Sequence, residues 1–288
     1  MLEMVATPRT WMPDTRQKLG VSWRKVGTAD KVAFGFFLFV CLFAAIGPLF
    51  APHDPTVRVG DPFLRPGGDF FFGTDESGRD VLSRLLYATR ATWYSTLTVI
   101  VITAFVGAVV GTVAGSVGGI VDSVLMRAVD LFLALPGPLL AIAIVAALGP
   151  SLRNTLIAVS IVWWPWYARI VRNEVRAIAA RPHVEAARLA GTKGFRLGRR
   201  HLLPGALPPL VVTATLDVST LILTITALSF LGLGAPSPAP ELGSMLNSGV
   251  SYLLLYWWLP VLPSIAITLL AFAGNLFGDS ARSLMEDR

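Results

Sequence analysis

The stretch VAFGFFLFVCLFAAIGPLFA, residues 32–51, decides the fold class. It carries no charged side chain, and it is long enough for a hydrocarbon core about 30 Å thick, which takes about 20 residues at 1.5 Å each. Five further runs read the same way, at residues 92–117, 124–148, 154–171, 207–233 and 257–277. The fourth of these six spans is the shortest, and Pro165 inside it predicts a kink. With 15% charged residues and a mean hydropathy of +0.64 over 288 residues, the chain cannot hide its apolar side chains in one soluble core. The reading is an all-α membrane protein with about six transmembrane helices, solvated by the lipid bilayer.

Charge then sets the orientation. The pI near 9.9 could suggest nucleic acid, but the basic residues lie between apolar runs, so no nucleic-acid partner is expected. With the N-terminus inside, eighteen of the 24 Lys and Arg face the cytoplasm: Arg9, Arg16, Lys18, Arg24, Lys25, Lys31, Arg127, Arg282, Arg288 and a dense set at Arg169, Arg172, Arg176, Arg181, Arg188, Lys193, Arg196, Arg199 and Arg200. Arg58, Arg65, Arg79, Arg84, Arg90 and Arg153 remain outside. By the positive-inside rule both termini are cytoplasmic, as is the connection between spans four and five. The expected organisation is a cytoplasmic segment at 1–31, a separate first helix at 32–51, an external loop at 52–91, a five-helix core at 92–278 with a cytoplasmic loop at about 176–206, and a cytoplasmic tail at 279–288. The basic leader is too long for a signal peptide and lacks a small-residue cleavage site before Pro48, so it reads as retained. Cys41, the single cysteine, lies in an apolar run and excludes an internal disulfide or cysteine metal cluster.

Within the spans, Gly107, Gly111, Gly115 and Gly119 recur every four residues, which puts them on one helix face open to a close backbone neighbour, in this chain or a partner. Asp130 follows Arg127 at ion-pair spacing, predicting a local pair. Asp217 lies about ten residues into the fifth span, near the bilayer midplane, where a carboxylate faces either a translocation path or an interhelical hydrogen bond. The WWPW cluster at residues 163–166 and the aromatics at 256–258 have the composition of interfacial aromatics, with belt, packing and pore lining as the roles open to them. His53, His183 and His201 lack ligand spacing, so no metal site is expected.

The cytoplasmic loop is the most specific stretch. From Glu185 it reads EAARLAGTKGFRLGRRHLLP. Residues 184–189 favour a short helix, Gly191 supplies a turn, and a second helical stretch around 195–203 is expected to be closed off by Pro204. Glu185 places an anion at the helix start, and Ala186, Ala187 and Ala190 permit close approach by a partner. Taken alone, such a basic loop could also lie on anionic headgroups.

Glu185, Ala186, Ala187, Gly191, Leu203 and Pro204 together resemble the EAA loop of ABC importer permeases: EAA, three residues, Gly, nine residues, Ile, any residue, Leu, Pro. The one departure is His201 in place of Ile. Residues 72–90 (FGTDESGRDVLSRLLYATR), 148–159 (LGPSLRNTLIAV), 227–246 (ALSFLGLGAPSPAPELGSML) and 275–288 (NLFGDSARSLMEDR) resemble the peptide and nickel branch, in particular its dipeptide and oligopeptide C-type subunit. The resemblance implies a type I ABC importer permease fold in the bacterial cytoplasmic membrane. It also implies a second permease subunit, two ATPase subunits, an external substrate-binding protein and a peptide substrate, with nickel or another small solute as the alternative. No GxxxxGK followed by Ser or Thr occurs, so ATP and Mg are expected on the ATPase partners, and the chain is not read as an enzyme. Two rivals fare worse. A secondary transporter is disfavoured by the EAA loop and the absence of an inverted repeat in hydropathy. An intramembrane aspartyl protease is disfavoured because Asp217 lacks flanking glycines and Asp130 sits at another depth.

Overall fold

The computed structural model describes residues 27–192 and 194–286. The basic residues before Lys31, together with Lys193 and Arg288, lie outside the described residues. Ten α-helices make up the described chain: α1 (Thr28–Ile46), α2 (Val81–Val117), α3 (Gly119–Ala134), α4 (Gly137–Leu148), α5 (Leu152–Ala179), α6 (Pro182–Leu189), α7 (Gly194–Leu197), α8 (Leu203–Phe230), α9 (Leu242–Val250) and α10 (Trp258–Glu286). Four segments are long and apolar enough to cross a membrane, five when the bent pair α3 and α4 counts as one span. The sixth pass is α5, which packs against α2, α3, α4 and α8 at the centre of the bundle. Its polar residues have partners on neighbouring elements: Asn154 donates to the carbonyls of Leu148 and Gly149, and Arg169 pairs with Asp130 of α3.

Contacts at the helix ends fix the directions. Gly47 after α1 meets Leu86 at the start of α2, while Asp30 at the other end of α1 accepts from Ser283 Oγ late in α10. Thr155 Oγ1 at the start of α5 donates to the Leu233 carbonyl after α8 (2.7 Å). Successive passes therefore alternate, and both described ends of the chain share one end of the bundle with the loop at 180–202.

The opposite end is capped. Residues 51–80 fold without regular structure around buried charges: Asp75 pairs with Arg79 (2.7 Å) and with Arg84 (3.3 Å). Arg84 Nη1 donates to the carbonyls of Pro55 (2.9 Å) and Pro238 (3.0 Å), stitching this cap to the connection after α8. Asp80 caps α2 by accepting from the Ser83 N–H, and Ser151 does the same for α5 from Asn154. In that second connection Glu241 is fully buried and accepts from Ser229 Oγ and the Ala235 N–H. Burial pushes its carboxyl above the usual range, against the pull of those two donors.

Three sequence expectations need correction here. The second helix starts at Val81, so residues 81–91 of the expected external loop are its first three turns, laid down by the Asp80 cap. Residues 279–286 continue α10 and are not a separate tail. The third span is not one helix: α3 and α4 meet at 90°. Pro136 forces Leu135 into extended backbone (φ −96°, ψ 143°), and Pro138 starts the next helix.

The glycine face is also corrected. A Cβ at Gly107 would lie 2.4 Å from Tyr167 Cβ, one at Gly111 2.5 Å from the Ala168 carbonyl, and one at Gly115 2.8 Å from Val175. The close neighbour is thus α5 of the same chain. Gly119 does not belong to this seam: α2 ends at Val117, Gly118 and Gly119 take φ of +69° and +57°, and nothing lies within 4 Å of a Cβ at Gly119. Its spacing matches the seam, but two successive left-handed glycines turn the chain into α3.

Candidate functional site: an exposed helical loop and a carboxylate cavity

The loop grows directly out of α5. Pro182 opens α6 from a position where its missing N–H costs no bond, and Glu185 sits exposed in the first turn. Val184 is buried against Ile178, Leu197 and Leu202, which fastens the short helix to the bundle. Gly191 turns the chain at φ +87° as expected, and its neighbourhood is open, so backbone conformation alone demands glycine there. Ala186 is exposed, while Ala187 is half-buried against the cluster that holds Val184.

Pro204 does not close the second stretch. α7 passes through a π turn at Gly198–Leu202 straight into α8, with Pro204 in the first turn of α8 beside half-buried Leu203. The wide turn, in which the Leu203 N–H reaches back to the Gly198 carbonyl, accommodates a ring that would strike the preceding turn of a regular helix. Pro208 and Pro209 follow inside α8. The loop leaves Leu189 86% and Phe195 82% exposed, beside the exposed Arg188, Arg196, Arg199 and Arg200. The loop thus presents two large apolar side chains amid cations.

Ion pairs hold α3 to α5 near the same end. Arg172 donates to both oxygens of Asp122 (Nε 2.9 Å, Nη2 2.7 Å), and Arg176 adds a third contact at 2.5 Å. Asp130 pairs with Arg169 of α5 and not with Arg127 as its spacing suggested. The fork geometry of Arg172 makes this the stronger link. The signal was present in the sequence: Asp122 and Asp130 lie eight apart, and Arg169, Arg172 and Arg176 recur at helical spacing.

Asp217 lies halfway along α8 and lines a cavity of about 320 Å³ together with Phe132, Leu133, Gly137, Trp163 and Trp166. The α3–α4 break forms one wall. Trp163 and Trp166 sit at the middle of α5, away from the helix ends where a belt would lie, and line this cavity. Tyr167 and Trp163 interact electrostatically with the carboxylate, yet Asp217 Oδ2, Tyr167 OH and Trp163 Nε1 are all buried without a well-formed hydrogen bond. Two interhelical donors, Tyr167 OH and Trp163 Nε1, therefore stand beside the Asp217 carboxylate. The sequence had singled out Asp217 and the WWPW cluster separately, and only the fold brings them to one cavity.

A bundle of alternating apolar helices, broken at one span and offering an exposed helical loop at one end, defines a multi-pass membrane protein. The chain belongs to the family of binding-protein-dependent transport system inner membrane components, which it matches over residues 107–288. It is 42% identical to the Pseudomonas aeruginosa di/tripeptide transport system permease protein DppC over 269 residues, 90% of this chain and 89% of the relative. It is 37% identical to the probable D,D-dipeptide transport system permease protein DdpC of Escherichia coli, covering 92% and 90%. Among solved structures it resembles the inward-facing MetNI methionine ABC transporter (TM-score 0.52, 23% identity, 69% of this chain and 95% of that one) and an amino acid ABC transporter solved with histidines (0.54, 16%, 71% and 94%). The fold is that of the type I ABC importer permeases, and the protein is an ABC importer permease of the membrane.

Proposed function

We propose that this chain is one of two permease subunits of a bacterial peptide importer, with two ATPase subunits docked on the loop at 180–202 and a substrate-binding protein on the capped end. The exposed Leu189 and Phe195 carry the reading. They project from a loop whose two ends are the spanning helices α5 and α8, so a partner that grips them moves both helices without a flexible linker. The names of the relatives support a di- or oligopeptide as substrate. ATP and Mg bind on the ATPase partners, and closure of that pair pulls on Glu185, Ala186, Ala187 and Gly191, driving alternating access. Asp217 and its cavity belong to the translocation path. The basic loop and both termini face the cytoplasm.

The test is uncoupling. Glu185→Lys reverses the charge in the first turn of α6, and Gly191→Val puts a branched side chain at φ +87°, which costs about 1–2 kcal/mol locally. Neither lies in a spanning helix, so membrane levels stay near normal. Peptide uptake into vesicles should fall more than about tenfold, with ATPase subunits released or hydrolysing without response to loaded binding protein. Normal uptake and normal binding-protein-stimulated hydrolysis in both variants would remove the coupling role and leave a lipid-bound surface loop.

A further inference from the structure

Asp217 is the only charged residue between Leu203 and Phe230, and its surroundings specify what it can bind. The buried side of α8 is formed by Val218, Leu221, Ile222 and Ile225, with Ser219 Oγ donating to the Ala271 carbonyl (2.7 Å). Thr213, Asp217, Thr220 and Thr224 follow one another at helical spacing on the other side, none of them fully buried. The stripe joins the Asp217 cavity to a second groove, between α4 and α8, lined by Thr220 and Thr224. Asp217 is thus the one carboxylate on a face of α8 that this chain leaves uncovered, flanked by Thr213 and Thr224, whose hydroxyls donate to carbonyls of their own helix.

No cation of this chain pairs with Asp217 among the described residues: Arg169, the nearest basic residue on α5 in sequence, is engaged by Asp130. A metal ion fits poorly. Hard cations collect six or more oxygen ligands, and no group of three His, Cys, Asp or Glu able to hold a metal occurs among the described residues. An organic cation fits well. Indole rings attract ammonium groups, and Trp163 and Trp166 line the same cavity. At about 320 Å³ the cavity lies at the lower end of small-ligand sites.

We propose that the cavity at the α3–α4 break is a binding site for a primary ammonium group, with Asp217 as counter-ion and Trp163 and Trp166 as aromatic walls, and that it receives the free amino terminus of a peptide in transit. The occupant rests on the importer reading above; the site's preference for ammonium does not. Selection by charge at mid-span would act after release from the binding protein and would favour peptides with an unblocked amino terminus.

The test uses the assembled complex carrying Cys41→Ser and Leu133→Cys, so that a thiol reagent reports on the cavity wall. Alanyl-alaninamide has the ammonium and no carboxylate; N-acetyl-alanyl-alanine has the reverse. At millimolar concentration the amide should slow modification of this subunit by about tenfold, equivalent to about 1.4 kcal/mol, while the acetylated peptide has no effect. Asp217→Asn should abolish protection and Asp217→Glu should retain most of it. If Asp217→Asn fails to assemble, Trp166→Leu should weaken protection in its place. Equal protection by both probes, protection that survives Asp217→Asn, or no protection in any form would overturn the site. ATP-driven, binding-protein-dependent dipeptide uptake by the wild-type complex is measured alongside. Uptake without protection defeats the ammonium site alone; protection without uptake defeats the importer reading and leaves the site standing.

Discussion

Glycine 111 and glycine 119 show how far single residues can be read. Both fall on the four-residue repeat, but one meets backbone at 2.5 Å and the other meets nothing. Size therefore matters only at the first. Gly111→Ala should destabilise by about 1–3 kcal/mol and Gly111→Leu by clearly more, because α2 and α5 must part. Gly119→Ala and Gly119→Leu should cost the same, about 1–2 kcal/mol for a left-handed backbone, and Gly119→Asn almost nothing. Thermal unfolding of the solubilised protein across this series decides it; size dependence at residue 119 would place that glycine back in the seam. Asp130 was misread for a related reason. Spacing along one helix made Arg127 a candidate, but only the fold brings Arg169 across from α5. Gly191 was fully legible, because its requirement is its own backbone angle.

Elements were legible where they are regular and illegible where proline and burial interrupt them. The apolar runs gave six passes, yet they hid the right-angle break at Pro136 because proline and glycine do little to lower hydropathy. They also shortened α5 by eight residues at its far end, since the Arg-rich turns that leave the apolar run are still helical and are neutralised by α3. That neutralisation is testable. Asp122 is buried and answers two guanidinium groups, so Asp122→Asn should cost about 1–3 kcal/mol, discounted from a fully buried pair because both arginines reach solvent. Arg176→Gln should cost a few tenths, since Arg172 keeps its fork on the carboxylate. Equal melting shifts for the two variants would mean that the arginines act independently and that α3 is held to α5 by apolar packing.

The whole molecule was readable in outline because lipid leaves few options: backbone hydrogen bonds must close within each crossing segment. The alternation of the passes puts the described ends of the chain beside the loop at 180–202, so a reporter fused after Asp75 should lie on the opposite side of the membrane from reporters fused after Lys193 or at the C-terminus. A reporter after Asp75 that matches the one after Lys193 would break the six-pass arrangement. The cavity was not legible at this scale, since its walls come from four helices that sequence cannot bring together. One feature of α8 sets how the assembled bundle responds to load. Pro204, Pro208 and Pro209 supply no N–H to the carbonyls of Arg200, Pro204 and Gly205, and the π turn lies directly beneath them. On the other arm, α5 is clamped by the glycine seam and by the Asp122 pairs. The two arms of the loop thus differ: α5 is held by α2 and α3 along its length, while the first turns of α8 lack three backbone donors, so α8 bends most easily at its root, on the loop side of Asp217.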